Sequence, residues 1–130
     1  MNWLLIAIGG AVGSVARYGT YSLLLRATDR TQFPWGTLAA NLIGGYLIGI
    51  CIAVFQAMPQ LDPVWRLALV TGFLGGLTTF SSFSAEVVIF LMDARYGLAA
   101  LTATVHVLGS LLMTVAGLKS AMFLLAANAR

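Results

Sequence analysis

Long apolar stretches separated by short polar segments dominate the chain. The four stretches cover, approximately, residues 3–25, 35–58, 64–92 and 96–127. Each is long enough to cross a bilayer as a helix, which needs roughly 20 mainly apolar residues. The polar segments between them, where we expect loops, are residues 26–32, 59–63 and 93–95. The pattern predicts an all-α membrane protein with four transmembrane helices in a single domain, residues 1–130.

The third stretch departs from a regular helical pattern near its middle. Gly75 and Gly76 are followed by a run of hydroxyl and aromatic residues from Thr78 to Ser84, which makes a poor helix interior. We therefore expect the third helix to be broken here, which would free backbone amides and carbonyls. Channels and transporters bind ions at such breaks, because only protein, water or an ion can satisfy the freed groups in a bilayer. A Ser/Thr-rich packing helix is the alternative.

The residue spacing after the expected break favours a site for a small anion. If the helix resumes there, Phe80 and Phe83 share one face, as do Ser81 and Ser84. The edges of aromatic rings carry partial positive charge. Ring edges, hydroxyls and amides together suit an anion and do not suit a cation.

Polar residues also lie inside the other apolar stretches. His106, Ser110 and Thr114 recur four residues apart, which places them on one stripe of the fourth helix. This stripe is either a packing seam or a polar track along a narrow path. Asn41, with Thr37 one turn before it, fits a helix–helix hydrogen bond and a transport role equally well.

Charged residues inside the stretches are few. Glu86 is the only carboxylate within a predicted span, and the sequence does not identify its partner. Arg17 lies in the first span, where it would snorkel or bind backbone carbonyls. His106 has no second histidine, and Cys51 is the only cysteine, so we expect neither a metal site on these residues nor an intrachain disulfide.

Composition and charge fit a protein of the bilayer. Hydrophobic residues make up 60% of the chain and charged residues 8%, whereas soluble domains carry about 25% charged residues. The net charge is +3, but the basic residues form no patch, so we predict no nucleic-acid partner. The sequence shows no nucleophile–base pair, phosphate loop or paired carboxylate, and we do not expect an enzyme.

Basic residues are balanced between the two ends of the predicted bundle. One side carries Arg66, Lys119 and Arg130, and the other carries Arg26, Arg30 and Arg95. Because excess Lys and Arg normally fix the cytoplasmic side, this balance gives insertion little preference. It predicts dual topology, with copies inserted in both orientations.

Three motifs resemble those of the Fluc/CrcB family of fluoride channels, and the resemblance covers nearly the whole chain. They are GSVARY at residues 13–18, GTLAAN at residues 36–41 followed by Gly44, and GFLGGLTTFSSFS at residues 72–84. Ser82 stands where the family often has Thr, a change that keeps the hydroxyl. Two other classes remain open: a small multidrug exporter, which would need a carboxylate in the first span, and a scaffold subunit that transports nothing.

The resemblance implies a channel of the bacterial inner membrane that lets fluoride leave the cell passively. It implies an antiparallel homodimer with two pores, each lined by both chains, and a central structural sodium ion held by the backbone carbonyls of Gly75 and Thr78. The fluoride path would be lined by phenylalanine ring edges, the Asn41 amide, hydroxyl residues and an acidic residue beside them. The pore residues implied are Thr37, Asn41, Thr79, Phe80, Ser81, Ser82, Phe83, Ser84, Glu86, His106, Ser110 and Thr114.

Overall fold

The structure, a computed structural model, describes residues 2–128, and the regular structure within that range is entirely helical. The helices are α1 (Asn2–Thr31), α2 (Trp35–Ala57), α3 (Pro63–Arg66), a π-helical stretch (Leu67–Leu74), α4 (Gly75–Leu77), α5 (Phe80–Met92) and α6 (Tyr96–Asn128). The helical run from Pro63 to Leu77 is called the 63–77 segment below. Met1, Ala129 and Arg130 lie outside the described residues.

Three parts of the chain are helical, long and apolar enough to cross a membrane. These are Trp35–Ala57, Pro63–Met92 and Tyr96–Asn128. The chain is therefore a multi-pass helical membrane protein. The helix α1 is 30 residues long, but residues such as Ser14, Arg17 and Thr20 lower its hydropathy, so its crossing of the membrane remains a prediction.

The first predicted loop is shorter than the apolar pattern indicated. Residues 26–31 were expected in a loop, but they extend α1 to Thr31. The hydroxyls of Thr28 and Thr31 donate to the carbonyls of Leu24 and Ala27, at 3.3 and 2.9 Å, within the last turns. The apolar stretch therefore marks where the bilayer would end, whereas the helix itself continues into polar residues.

Small residues bring the helices into close contact, and backbones approach most closely in two pairs. The first pair is α1 with the 63–77 segment, and a Cβ added at Gly13 would collide with the carbonyl oxygen of Phe73. The second pair is α2 with α6, where a Cβ at Gly117 would collide with the carbonyl of Tyr46. Such contacts between backbones are how helices associate in lipid, where hydrophobic attraction between them is absent.

The polypeptide is extended for two residues between α4 and α5. Thr78 has φ −83° and ψ 156°, and Thr79 has φ −151° and ψ 115°. The helix α5 then begins at Phe80, where the Thr79 hydroxyl accepts a 3.1 Å hydrogen bond from the Ser82 N–H as an N-cap.

Two loops meet at one end of the bundle. The Arg95 guanidinium donates a 2.5 Å hydrogen bond to the side-chain oxygen of Gln32. It also lies 5.2 Å from the centre of the Phe90 ring, as a cation–π contact. These contacts fasten the α1–α2 loop to the α5–α6 loop, so Arg30 and Arg95 lie at the same end.

Candidate functional site

The side chain of Asn41 closes the interruption between α4 and α5. Its Oδ1 accepts a 2.7 Å hydrogen bond from the Thr79 N–H, and its Nδ2 donates a 3.0 Å hydrogen bond to the Thr79 carbonyl. An amide from α2 thus satisfies both backbone groups of an extended residue. Without it, two buried peptide groups at this point would lack partners.

This pairing leaves two carbonyls without their usual helical donors. In a continuous helix the Thr79 N–H would bond the Gly75 carbonyl, but here it bonds Asn41. The Ser82 N–H would bond the Thr78 carbonyl, but here it bonds the Thr79 hydroxyl. Two carbonyl oxygens on consecutive turns are therefore free of i+4 hydrogen bonds.

An aromatic stack begins at the first residue of α5. The Phe80 and Phe83 rings meet edge to face, with centroids 5.4 Å apart and planes at 71°. The Phe83 ring also stacks on the His106 ring at 4.6 Å and 27°. Phe83 is 9% exposed, whereas Phe80 is 77% exposed. The stack thus runs from an uncovered ring inward to a buried histidine.

His106 and Asn41 are directly connected. The Asn41 Nδ2 lies 3.1 Å from the Nδ1 of His106, which is only 4% exposed. The Nε2 of the same ring is buried and has no hydrogen-bond partner among residues 2–128. One edge of the imidazole is thus anchored to α2 and the other is unpaired.

A second polar pair, the buried Thr37 and the half-buried Glu86, lies one helical turn from the first along α2. The Thr37 hydroxyl donates a 2.5 Å hydrogen bond to Oε1 of Glu86. The other carboxylate oxygen, Oε2, is buried and has no partner within the described part of the chain. Among residues 2–128, Thr37 therefore supplies the one side-chain donor to this carboxylate.

Two cavities meet at Thr79. The wide groove, about 550 Å³, is mainly apolar and is lined by residues of α2, the 63–77 segment, α5 and α6. Its polar wall consists of Asn41, Thr78, Thr79, His106, Ser110 and Thr114. The Arg17 pocket, about 370 Å³, is lined by Ser14, Arg17, Tyr18, Tyr21, Gly36, Thr37, Thr79, Ser82 and Glu86.

Comparison with known sequences identifies the family. The family described as "CrcB-like protein, Camphor Resistance (CrcB)" matches residues 4–118. The chain belongs to the CrcB family. This confirms the resemblance that the three sequence motifs indicated.

Several CrcB relatives are similar over almost their full length. The fluoride-specific ion channel FluC of Albidiferax ferrireducens is 63% identical over 125 residues, which cover 96% of this chain and 94% of the relative. FluC of Variovorax paradoxus is 59% identical over 117 residues, covering 90% and 91%. FluC of Pseudomonas aeruginosa is 51% identical over 117 residues, with the same coverage.

The structure of this CrcB chain brings together most of the residues singled out from the sequence. The wide groove collects Gly75, Thr78, Phe80, Phe83, the stripe on α6 and Asn41, while Thr37, Ser82 and Glu86 lie in the Arg17 pocket. Ser81, which is exposed, and Ser84, which is half-buried, line neither cavity.

Sequence reasoning left the role of Arg17 open. The structure places it on the wall of a pocket that also contains Glu86 and the hydroxyls of Thr37 and Ser82. Its position after GSVA in the first motif was the available signal, but which helix it faces depends on packing between residues far apart in sequence.

Proposed function

We propose that this chain forms a passive, selective fluoride channel that exports cytoplasmic fluoride across the bacterial inner membrane. The observation that carries the proposal is the edge-to-face Phe80–Phe83 pair beside the polar wall of the wide groove. Relatives up to 63% identical, named fluoride-specific ion channels, support the same ion. No carboxylate lies in the middle of α1, which argues against a small multidrug exporter.

The chemistry of the groove suits an anion that holds water strongly. A pore must replace that water with donors along the whole path, as ion filters do. Phe80, Phe83 and Ser110 line the groove, and their ring edges and hydroxyl would form such a series, while the Thr114 hydroxyl beside them donates to the Ser110 carbonyl at 2.9 Å. None of these groups carries a full charge, so an ion can be bound and released again.

We further propose that two chains assemble as an antiparallel homodimer, with α1 as a fourth span. The wide groove is open along one side, and Phe80 remains 77% exposed on its wall. A second copy would cover it, and two-fold symmetry would give two equivalent pores. The balance of basic residues predicted from the sequence, three for each side, is consistent with insertion in both orientations.

The interruption within the third span is proposed to hold a structural sodium ion. The carbonyl oxygens of Gly75 and Thr78 lack i+4 donors because Thr79 and Ser82 bond elsewhere. Carbonyl oxygens suit hard cations, and two from each chain would give four ligands. Gly75 is also exposed toward the open groove, where a partner would approach.

Removing sodium tests this site separately from the pore. Dimers purified in sodium and exchanged into N-methyl-D-glucamine at equal ionic strength should unfold at a lower temperature, and fluoride flux should fall. Returning sodium should restore both. Unchanged stability and flux would remove the sodium site from the proposal and leave the fluoride path standing.

Fluoride efflux from proteoliposomes, followed with a fluoride-selective electrode, tests the main proposal. We expect fast efflux when fluoride is the internal anion and almost none when chloride replaces it. No flux from correctly folded protein would favour the scaffold alternative. Proton flux driven by a cationic drug would favour the exporter.

A further inference from the structure

We propose that His106 presents its Nε2–H to the permeating anion, and that Asn41 is the positioning residue that fixes this tautomer. The inference deepens the proposed fluoride channel by assigning one donor atom. It rests on the proposed function and on hydrogen bonds of Asn41 and His106, which can be measured even in protein that does not conduct fluoride.

The orientation of the Asn41 amide is fixed by the backbone. The Thr79 N–H can only donate, so the atom 2.7 Å from it must be the amide oxygen. The nitrogen then has two hydrogens, and it has two acceptors within reach. One is the Thr79 carbonyl at 3.0 Å and the other is the His106 Nδ1 at 3.1 Å. Both amide hydrogens are committed inside the protein.

The protonation of His106 follows from this commitment. An Nδ1 that accepts from an amide carries no proton, so the imidazole is neutral and its hydrogen lies on Nε2. This assignment comes from the hydrogen-bond network, since a proton is not observed directly. Asn41 therefore acts on the ion through His106, because it keeps no free donor of its own.

The Nε2–H is a buried donor in need of an acceptor. The His106 ring is 4% exposed, and its Nε2 has no partner among residues 2–128. An unpaired buried donor is unfavourable, so a small acceptor would be drawn to it. The ring stacks on Phe83 and shares the wall of the wide groove with Ser110, one helical turn further along. The proposal places this donor next after the ring edges on the path of a fluoride ion, which would reach it by displacing the side chains that cover it.

Neutrality of the ring suits conduction. A histidinium would hold an anion as a fixed counter-ion, and conduction requires that the ion also leave easily. A neutral N–H offers a hydrogen bond without a net charge. By donating to Nδ1, Asn41 keeps the ring neutral and so favours release of the ion.

Nitrogen NMR on this chain reads the tautomer directly, because His106 is its only histidine. With ¹⁵N-labelled histidine in lipid, we expect one unprotonated ring nitrogen, Nδ1, and one protonated ring nitrogen, Nε2. Adding fluoride should shift the Nε2–H resonances, and equal chloride should not. A proton on Nδ1, or resonances indifferent to fluoride in protein that conducts it, would overturn the inference. A correct tautomer in protein that conducts no fluoride would instead count against the proposed function.

Flux measurements on two His106 variants and one control complete the test. His106→Phe keeps a ring to stack on Phe83 and removes the donor, so flux should fall at least about tenfold, as expected for one lost hydrogen bond to a charged acceptor. His106→Gln keeps an amide N–H near the Nε2 position and should conduct better than His106→Phe.

The control is Thr102→Val, one turn earlier on the same helix. Thr102 is fully buried with an unpartnered hydroxyl, and it does not line the wide groove. Its flux should match the wild type. Wild-type flux in His106→Phe, with all three variants eluting as wild-type-sized particles, would refute the role of Nε2–H.

Discussion

At the scale of single residues, exposure separates two phenylalanines that the sequence presents alike. Phe83 is buried against His106, while 77% of Phe80 remains uncovered. Sequence spacing correctly placed both on one face. It could not distinguish their surroundings, because burial depends on α6, which lies far along the chain.

Replacing Phe80 by isoleucine should reduce fluoride flux by at least about tenfold, or ~1.4 kcal/mol in effective barrier. Isoleucine retains apolar bulk but has no positively polarised ring edge. The matched control is Phe123→Ile on α6, because Phe123 is 74% exposed and lines neither cavity. Electrode-monitored efflux should be normal in that variant. Equal losses at both positions would argue for a general effect on packing.

Thr37 and Thr102 form a natural comparison of buried hydroxyls. Thr37→Val should lower the free energy of unfolding by ~1–3 kcal/mol, because it leaves the buried Glu86 carboxylate without its donor. Thr102→Val removes an unpartnered hydroxyl and should be neutral or stabilising.

Denaturant titration in mild detergent measures both variants. Adding Glu86→Gln should shrink the cost of Thr37→Val, since the charge that needs the donor is then absent. A cost that Glu86→Gln leaves unchanged would mean that Thr37 stabilises the fold by packing alone.

At the scale of helices, two glycines on α6 differ in how closely another helix approaches them, which the sequence cannot reveal. A Cβ at Gly117 would collide with the Tyr46 backbone, whereas one at Gly97 would meet nothing within 4 Å. Of these two glycines, the structure therefore places only Gly117 at a tight helix–helix contact.

Gly117→Ala should therefore destabilise the protein by ~1–3 kcal/mol, the usual cost of overpacking a tight contact. Gly97→Ala should leave stability unchanged or slightly raised, because alanine favours helix over glycine. The melting temperatures of both variants, measured in detergent, test this difference. Similar melting temperatures would show that α2 and α6 can separate at no cost.

The site was only partly predictable for a physical reason. Asn41, Thr79 and the hydroxyl run could be selected as polar residues at membrane depth. That Asn41 binds the Thr79 backbone could not, since this bond joins positions 38 residues apart and depends on how α2 lies against α5. The predicted end of α1 was also wrong. Polar residues mark where the chain leaves the bilayer, but the helix continues through them to Thr31.

At the scale of the whole molecule, the sequence predicts that positive charge is balanced between the two ends. The Gln32–Arg95 contact places Arg95 at the same end as Arg30, and Arg66 lies in the first turn of the 63–77 segment, at the opposite end, while Arg130 lies outside the described residues. We expect half of the copies to insert each way up.

A cysteine at Gln60, in a Cys51→Ala background, reports orientation. A membrane-impermeant thiol reagent should label about half of the copies from outside intact cells, and the remainder only after permeabilisation. Adding Leu61→Lys should shift that loop toward the cytoplasm and reduce outside labelling. Complete labelling from one side in the unshifted variant would disprove dual topology.

The pairing of Asn41 with Thr79 also has a consequence for recombination between relatives. The local backbone at residue 79 is determined by a side chain on a different helix, so these two helices are not independent modules. Chimeras that exchange α2 among CrcB chains should tolerate changes along its lipid face but require asparagine at position 41. Exchange of this helix is thus constrained at position 41 by the backbone of another helix, through a single side-chain amide.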